Sequence, residues 1–237
     1  MQPTVHQLAK MIDHSVLHPT LTARDLEREC AVALHYDVAS VCVKPWMVEQ
    51  AASILFGSRV VTGTVIGFPA GNSTVAIKQL EAEAACRDGA VEIDMVINIG
   101  KAIEGDWKFI QQEMKLVTNS CHENGAIVKV IFETDYITNR ESIIRLCEIA
   151  TEVEADYVKT STGFGFVKGE NGFYSYQGAT IPVLQLMRQH SGPKVKIKAA
   201  GGVRTLDQLL AVRAAGCDRC GATATETMLE EAMQRFP

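Results

Sequence analysis

The sequence predicts one (β/α)8 barrel over residues 1–237, an α/β fold with a short N-terminal helix. Three observations lead there. The chain has 237 residues, a length that α/β barrels commonly reach as one domain. Eight short β-branched runs recur along it, ending in Gly, Pro, Thr or Asp. Longer stretches rich in Ala, Leu, Glu and Gln separate them, and this alternation argues for βα units and a parallel sheet. Eight such units in this length fit a closed barrel. An open doubly wound sheet would want a Gly-rich turn after the first strand and an acidic residue about 20 residues on. The first run instead ends in "HSVLHPT".

In order, the strand runs are "MIDHSVL" (11–17), "ASVCVKP" (39–45), "VVTGTVIGFP" (60–69), "VEIDMVIN" (91–98), "IVKVIFET" (127–134), "DYVKTSTG" (156–163), "VKIKAAGG" (195–202) and "DRCGATA" (218–224). Helical patterns lie between them. Residues 22–36 open on a Thr cap and keep Leu26, Cys30, Ala33 and Leu34 on one side. Residues 74–89 stop at a glycine, residues 141–153 follow the same period, and 205–216 run from a Thr205 cap to a Gly216 terminator.

Composition narrows the function classes. Hydrophobic residues make up 47% of the chain, enough for a sizeable core, and the formal net charge of −5 argues against a general nucleic-acid role. A local phosphate site remains compatible with that charge. The seven cysteines do not form a secreted disulfide pattern. Cys217 and Cys220 have CxxC spacing but no second ligand pair, so they read as small buried residues entering a strand. The N-terminal stretch lacks the basic start and apolar run of a signal peptide. No apolar run reaches about 18 residues. These features predict a cytoplasmic protein with no membrane partner.

Alternate residues of a barrel strand face opposite ways. In the fourth run Ile93, Met95 and Ile97 oppose Glu92, Asp94 and Asn98. Val195, Ile197 and Ala199 oppose Lys196, Lys198 and Ala200; Lys159 shares a face with Tyr157 and Ser161, and Lys129 with Ile131 and Glu133. With the apolar faces under the helices, four strands deliver ionisable groups to one interior. A buried ion-pair network is one reading of that set. The other is catalytic: Lys159 and Lys198 approach the C-terminal strand ends, where barrel enzymes keep their sites. Burial and mutual repulsion lower a lysine pKa, and a neutral amine is a nucleophile toward carbonyls.

Three loops of Gly, small and hydroxyl residues follow the last three strands: "STGFG" (161–165), "AGGVRT" (200–205) and "GATAT" (221–225). Such loops let backbone N–H groups approach an anion. The barrel rule places a phosphate cup after strands seven and eight, here Gly201, Gly202, Val203 and Arg204 with Gly221, Thr223 and Ala224. Gly163 lies in the loop after strand six. His14 and His18 are four apart, but Pro19 follows and no third ligand is apparent, so no metal is expected. Trp46 and Trp107 read as packing residues. No Ser–His–Asp motif or Walker loop is present.

Taken in order, "IDHSVLHPTLT", "SVCVKP", "VIGFPAGNST", "EIDMVIN", "KVIFET", "DYVKTSTGFG", "KAAGGVRT" and "GATAT" resemble the deoxyribose-phosphate aldolase family over nearly the whole chain. The resemblance implies a class I aldolase, needing no cofactor or metal, that reversibly cleaves 2-deoxyribose 5-phosphate to acetaldehyde and glyceraldehyde 3-phosphate. It implies that Lys159 forms the Schiff base, that Lys198 tunes it and that Asp94 relays protons. Asp13, Ser15, Cys42, Lys129 and Thr162 fall on its pocket positions, and a homo-oligomer, dimer or tetramer, is implied as well. Three departures stand out. "FVKGENGFYSYQGAT" (166–180) is longer than the family's usual connection, the chain ends at "MQRFP" without the tail that some members fold over the site, and Ala224 stands where many members have serine. The longer loop leaves open an imine-forming aldolase for another phosphorylated sugar or aldehyde. A non-catalytic sugar-phosphate binder is a further alternative, against which the retained lysines and aspartate speak.

Overall fold

The eight β-branched runs become the eight parallel strands of a closed barrel in the computed structural model, which describes residues 2–236. These are β1 (Ile12–Val16), β2 (Ser40–Val43), β3 (Val61–Ile66), β4 (Glu92–Val96), β5 (Ile127–Ile131), β6 (Tyr157–Lys159), β9 (Lys196–Ala200) and β10 (Arg219–Ala222). They pair in that order, and β10 returns to β1. Between β6 and β9 the long loop forms a two-stranded antiparallel ribbon, β7 (Val167–Lys168) and β8 (Tyr174–Ser175).

Ten α-helices accompany them: α1 (Val5–Ala9), α2 (Ala23–His35), α3 (Val48–Leu55), α4 (Val75–Arg87), α5 (Ile99–Glu104), α6 (Trp107–Glu123), α7 (Arg140–Glu152), α8 (Ile181–His190), α9 (Leu206–Ala214) and α10 (Thr225–Arg235). Local chemistry sets many of their starts. Thr22, Thr74, Asn98, Asp106, Asn139 and Thr205 each accept a first-turn backbone N–H, satisfying a donor the helix leaves free. Thr205 and Gln208 complete a capping box, as do Thr22 and Asp25. Gly89 and Gly216 follow their helices with φ of 106° and 93°. Those left-handed values favour glycine.

The outward faces of the strands carry the apolar core. Ile93, Met95, Val128, Val130, Val158, Ile197 and Ala199 are all buried beneath the helices. Cys217 and Cys220 are buried free thiols at the entry to β10. Several expected positions differ. Leu34 is 36% exposed, because it sits at the edge of the apolar stripe of α2. Trp46 is 64% exposed and holds the Lys44 ammonium over its ring at 5.4 Å, whereas Trp107 does pack against the core. Asn98 caps α5 instead of joining the barrel interior. Lys196 is exposed, since it opens its strand at the N-terminal mouth, where its ammonium lies 5.5 Å from the Tyr157 ring.

A second ion pair sits outside the barrel. Lys78 of α4 and Glu113 of α6 are fully buried and bond at 2.8 Å. Lys78 also donates to the Gly71 and Val96 carbonyls, and Glu113 accepts the Asn98 N–H at 2.8 Å. The pair therefore pins the loops after β3 and β4. Lys78→Met is expected to cost about 3–5 kcal/mol, because it leaves a buried carboxylate without its partner. Urea unfolding midpoints check this, and adding Glu113→Leu should recover most of the loss. A single variant as stable as the native chain would show that the pair does not hold these loops.

Candidate active site

Alternation in the strands sends seven ionisable strand positions to one interior, and the barrel closure brings them into contact. The carboxylates are Asp13 of β1 with Glu92 and Asp94 of β4. The cations are Lys129 of β5, Lys159 of β6, Lys198 of β9 and Arg219 of β10. Lys129 Nζ lies 2.6 Å from Glu92, 2.9 Å from Asp94 Oδ1 and 3.2 Å from Asp13 Oδ2. Lys198 Nζ meets Asp94 Oδ2 at 2.7 Å and also pairs with Asp13 Oδ2. Arg219 bridges Asp13 and Glu92. Lys159 Nζ has one carboxylate, Asp94 Oδ2 at 2.7 Å, and that oxygen is shared with Lys198.

Three carboxylates face four cations here, so full ionisation would leave one positive charge uncompensated in the interior. Such a charge is expensive away from water. The group with the weakest anionic support, and so the one that gives up its proton most readily, is Lys159. Burial pulls its pKa below the ordinary lysine value and neighbouring Lys198 adds to this, while Asp94 opposes. Lys198 goes the other way. Burial would lower it, but Asp13 and Asp94 outweigh burial and hold it above the ordinary value. The sequence expectation that both lysines shift down is corrected for Lys198, because repulsion between the two is smaller than the pull of two aspartates. Lys129 is held well above the ordinary value, its burial outweighed by Asp13, Asp94 and Glu92. Asp94 is buried, which would raise its pKa, yet Lys129, Lys159 and Lys198 hold it well below the usual carboxylate range. Asp13 is likewise held low against burial by Lys129, Lys198 and Arg219.

A cavity of about 460 Å³ opens above this cluster at the C-terminal ends of the strands. Lys159 is the one member of the cluster that lines it, together with Ser15, Thr162 and Gly163. Asp13, Cys42, Asp94, Lys129 and Lys198 are buried outside that lining. Burial pushes the Cys42 thiol up to about 11, so it stays protonated. Thr162 is fixed from behind by Glu133, whose Oε2 accepts both its hydroxyl and its backbone N–H. Desolvation raises the Glu133 pKa.

The rim is built of the expected loops. Gly201, Gly202, Val203, Arg204, Gly221 and Thr223 line the cavity; Ala224 does not, and instead stands at the N-cap of α10. Gly201 and Gly202 adopt φ of 87° and 84°, which a side chain would strain. Their loop leads into the N-terminus of α9, and the "GATAT" loop leads into α10. Two helix N-termini thus direct their partial positive charge at one rim.

His14 and His18 are not brought together. His14 turns outward, its ring nitrogens meeting Thr225 at 2.8 Å and Glu29 at 2.9 Å, while His18 bonds Thr20. Among the described residues no group of three or more His, Cys, Asp or Glu is placed to hold a metal. Sequence reasoning missed Arg219, although it lies two residues before Gly221 on an inward-facing parity. It also missed Phe164, Phe166 and Tyr176, which line the cavity from the long loop. No periodic signal marks residues in such a loop.

The comparisons with known proteins point the same way. The family model described as DeoC/LacD family aldolase matches residues 7–225. A deoxyribose-phosphate aldolase of Rhodopirellula baltica is 49% identical over 231 residues, covering 98% of this chain and 91% of that protein. The solved aldolase QR15 superposes with a TM-score of 0.86 at 33% identity, covering 96% of each chain. A tetrameric deoxyribose phosphate aldolase of Aeropyrum pernix, 24% identical, shares the fold at a TM-score of 0.86 and covers 98% of this chain and 93% of that one. A buried lysine short of a counter-ion, under a rim of glycine loops on a closed barrel, is therefore found in a chain that belongs to the DeoC/LacD family of aldolases.

Proposed function

We propose that the protein is a class I, imine-forming aldolase that reversibly cleaves 2-deoxy-D-ribose 5-phosphate to D-glyceraldehyde 3-phosphate and acetaldehyde. The observation that carries this reading is Lys159. Of the interior cations it alone lines the cavity, it alone has a single and shared carboxylate, and its pKa is lowered. The Rhodopirellula baltica relative bears the name of that activity.

The neutral Lys159 amine attacks the C1 aldehyde of the open-chain sugar. Loss of water leaves a protonated imine, an electron sink conjugated with the C2–C3 bond to be broken. Asp94, ionised and in contact with Lys159 Nζ, balances the positive charge on that nitrogen. Because three cations hold Asp94 far on the carboxylate side, it is a weak base alone. Proton traffic therefore runs through a water to the Asp94–Lys198 pair: the Asp94 carboxylate takes up the C3 hydroxyl proton, with the Lys198 ammonium relaying protons beside it, as the C2–C3 bond breaks into the imine and glyceraldehyde 3-phosphate leaves. The enamine at C2 is reprotonated, and hydrolysis of the imine releases acetaldehyde and the amine. Asp13 and Lys129 keep the pair in place, and Ser15 and Thr162 face the sugar. The loops at Gly163, at Gly201–Arg204 and at Gly221–Thr223 hold the phosphate through backbone N–H groups and the Arg204 side chain. No metal enters, since the imine supplies the electron sink.

Retro-aldol turnover of deoxyribose 5-phosphate and borohydride reduction in the presence of substrate test the reading together. Acetaldehyde should be released, and the reduced adduct should add mass at Lys159. Adduct without deoxyribose 5-phosphate cleavage would favour the second reading, an imine-forming aldolase for another phosphorylated sugar or aldehyde. The aromatic wall that Phe166 and Tyr176 place beside the cavity gives that reading its support. Ligand binding with neither adduct nor turnover would leave a sugar-phosphate binder.

A further inference from the structure

The 166–180 loop does more than pass over the barrel mouth; it is fastened both to the segment after β5 and to the anion rim at Gly201. Asp135, after β5, accepts the Gln177 and Gly178 N–H groups, the latter at 3.0 Å. The Ala179 N–H donates to the Gly201 carbonyl at 3.1 Å. Gly178 lies so near Gly201 that a Cβ on it would come within 2.5 Å of that carbonyl oxygen. These contacts deliver Tyr176 to the cavity wall, where its ring meets Phe166 edge-on at 5.4 Å between centroids.

The Tyr176 hydroxyl oxygen accepts an N–H from Arg204 Nη2 at 3.1 Å. A phenol that accepts in this way keeps its own proton free to donate. Arg204 itself has no carboxylate within ion-pair distance among the described residues, so its remaining donors are also uncommitted. Both side chains line the same cavity, beside the Gly202 and Val203 loop. A phosphate needs several donors around its oxygens, and Ala224 can offer no hydroxyl.

We propose that Tyr176 is a specificity-determining residue for the phosphate group: its O–H donates to the substrate phosphate while its oxygen holds the Arg204 guanidinium alongside, making a two-donor clamp supplied in part by the inserted loop. This rests on the reading that the substrate is a phosphate ester. A neutral O–H suits the position. It adds a donor without another cation near Lys159, and so leaves the amine's state undisturbed.

Tyr176→Phe tests the clamp, because it keeps the ring against Phe166 and removes only the hydroxyl. The preference for deoxyribose 5-phosphate over unphosphorylated 2-deoxyribose, as a ratio of kcat/KM values, should fall roughly tenfold, the scale of one hydrogen bond to a charged group. The loss should appear in KM rather than kcat, and reductive trapping of acetaldehyde at Lys159 should report an intact site. An unchanged ratio, or equal losses on both sugars, would overturn the proposal. Inorganic phosphate binding, followed calorimetrically, separates this from the assigned reaction. If the native protein binds phosphate but does not cleave deoxyribose 5-phosphate, the substrate assignment fails, and a weaker phosphate affinity in Tyr176→Phe still supports the clamp. Equal affinities, or no phosphate binding by either protein, overturn it.

Discussion

Lys159→Met is expected to lower retro-aldol activity by at least about 10⁴-fold, the scale on which enzymes lose rate when a covalent nucleophile is removed. Methionine fills much of the same volume but carries no amine, so neither imine nor borohydride adduct can form. The fold should survive. The native interior sets three carboxylates against four cations, and removing Lys159 leaves three against three. Its thermal midpoint should therefore not fall below that of the native protein. Assay of the purified variant, with mass spectrometry after reduction and a melting curve, checks both halves. Activity within tenfold of native would end the assignment of Lys159 as the nucleophile.

Lys198→Met should produce the second largest effect, and one with a distinct pH signature. Lys198 now lowers the Lys159 pKa by its positive charge and competes for Asp94 Oδ2 at 2.7 Å. Without it, Asp94 belongs to Lys159 and Lys129, and the Lys159 ammonium is better supported. The folded Lys159 pKa then rises. Since the reactive form is the neutral amine, activity increases as pH rises through that pKa, and the acidic limb of kcat/KM should move to higher pH. Losing the proton-handling partner as well should lower kcat by about 10²–10⁴-fold. A pH–rate profile separates the two consequences. A variant with reduced kcat but an unmoved acidic limb would show that Lys198 handles protons without tuning Lys159.

Much of this site was legible in the chain because strand alternation is a local rule. Period two placed Asp94, Lys129, Lys159 and Lys198 on one side of their strands, and the positions of Lys159 and Lys198 near strand ends pointed to the catalytic mouth. The rule overreached at Lys196, which has the right parity but sits at the opposite mouth, and at Asn98, where the strand has given way to a helix cap. It also passed over Arg219, whose significance depends on the carboxylates of β1 and β4 arriving beside it. Glu133 has the right parity but lies beyond the end of β5, in a left-handed turn at φ 58°, and Tyr176, in an irregular loop, carries no periodic signature.

The sequence by itself determined the eight βα units, the caps that start many helices and the set of residues that turn inward. Each follows from chemistry within a few neighbouring residues. Only the tertiary structure decided which lysine has the least carboxylate support. That choice depends on counting carboxylate oxygens within about 3 Å of each nitrogen, and the residues counted lie far apart in the chain, Lys198 meeting an aspartate 104 residues away. Electrostatic energies in a dry interior change steeply over such distances. The downward pull on the Lys159 pKa therefore arose when the barrel closed and seated Lys198 between two aspartates.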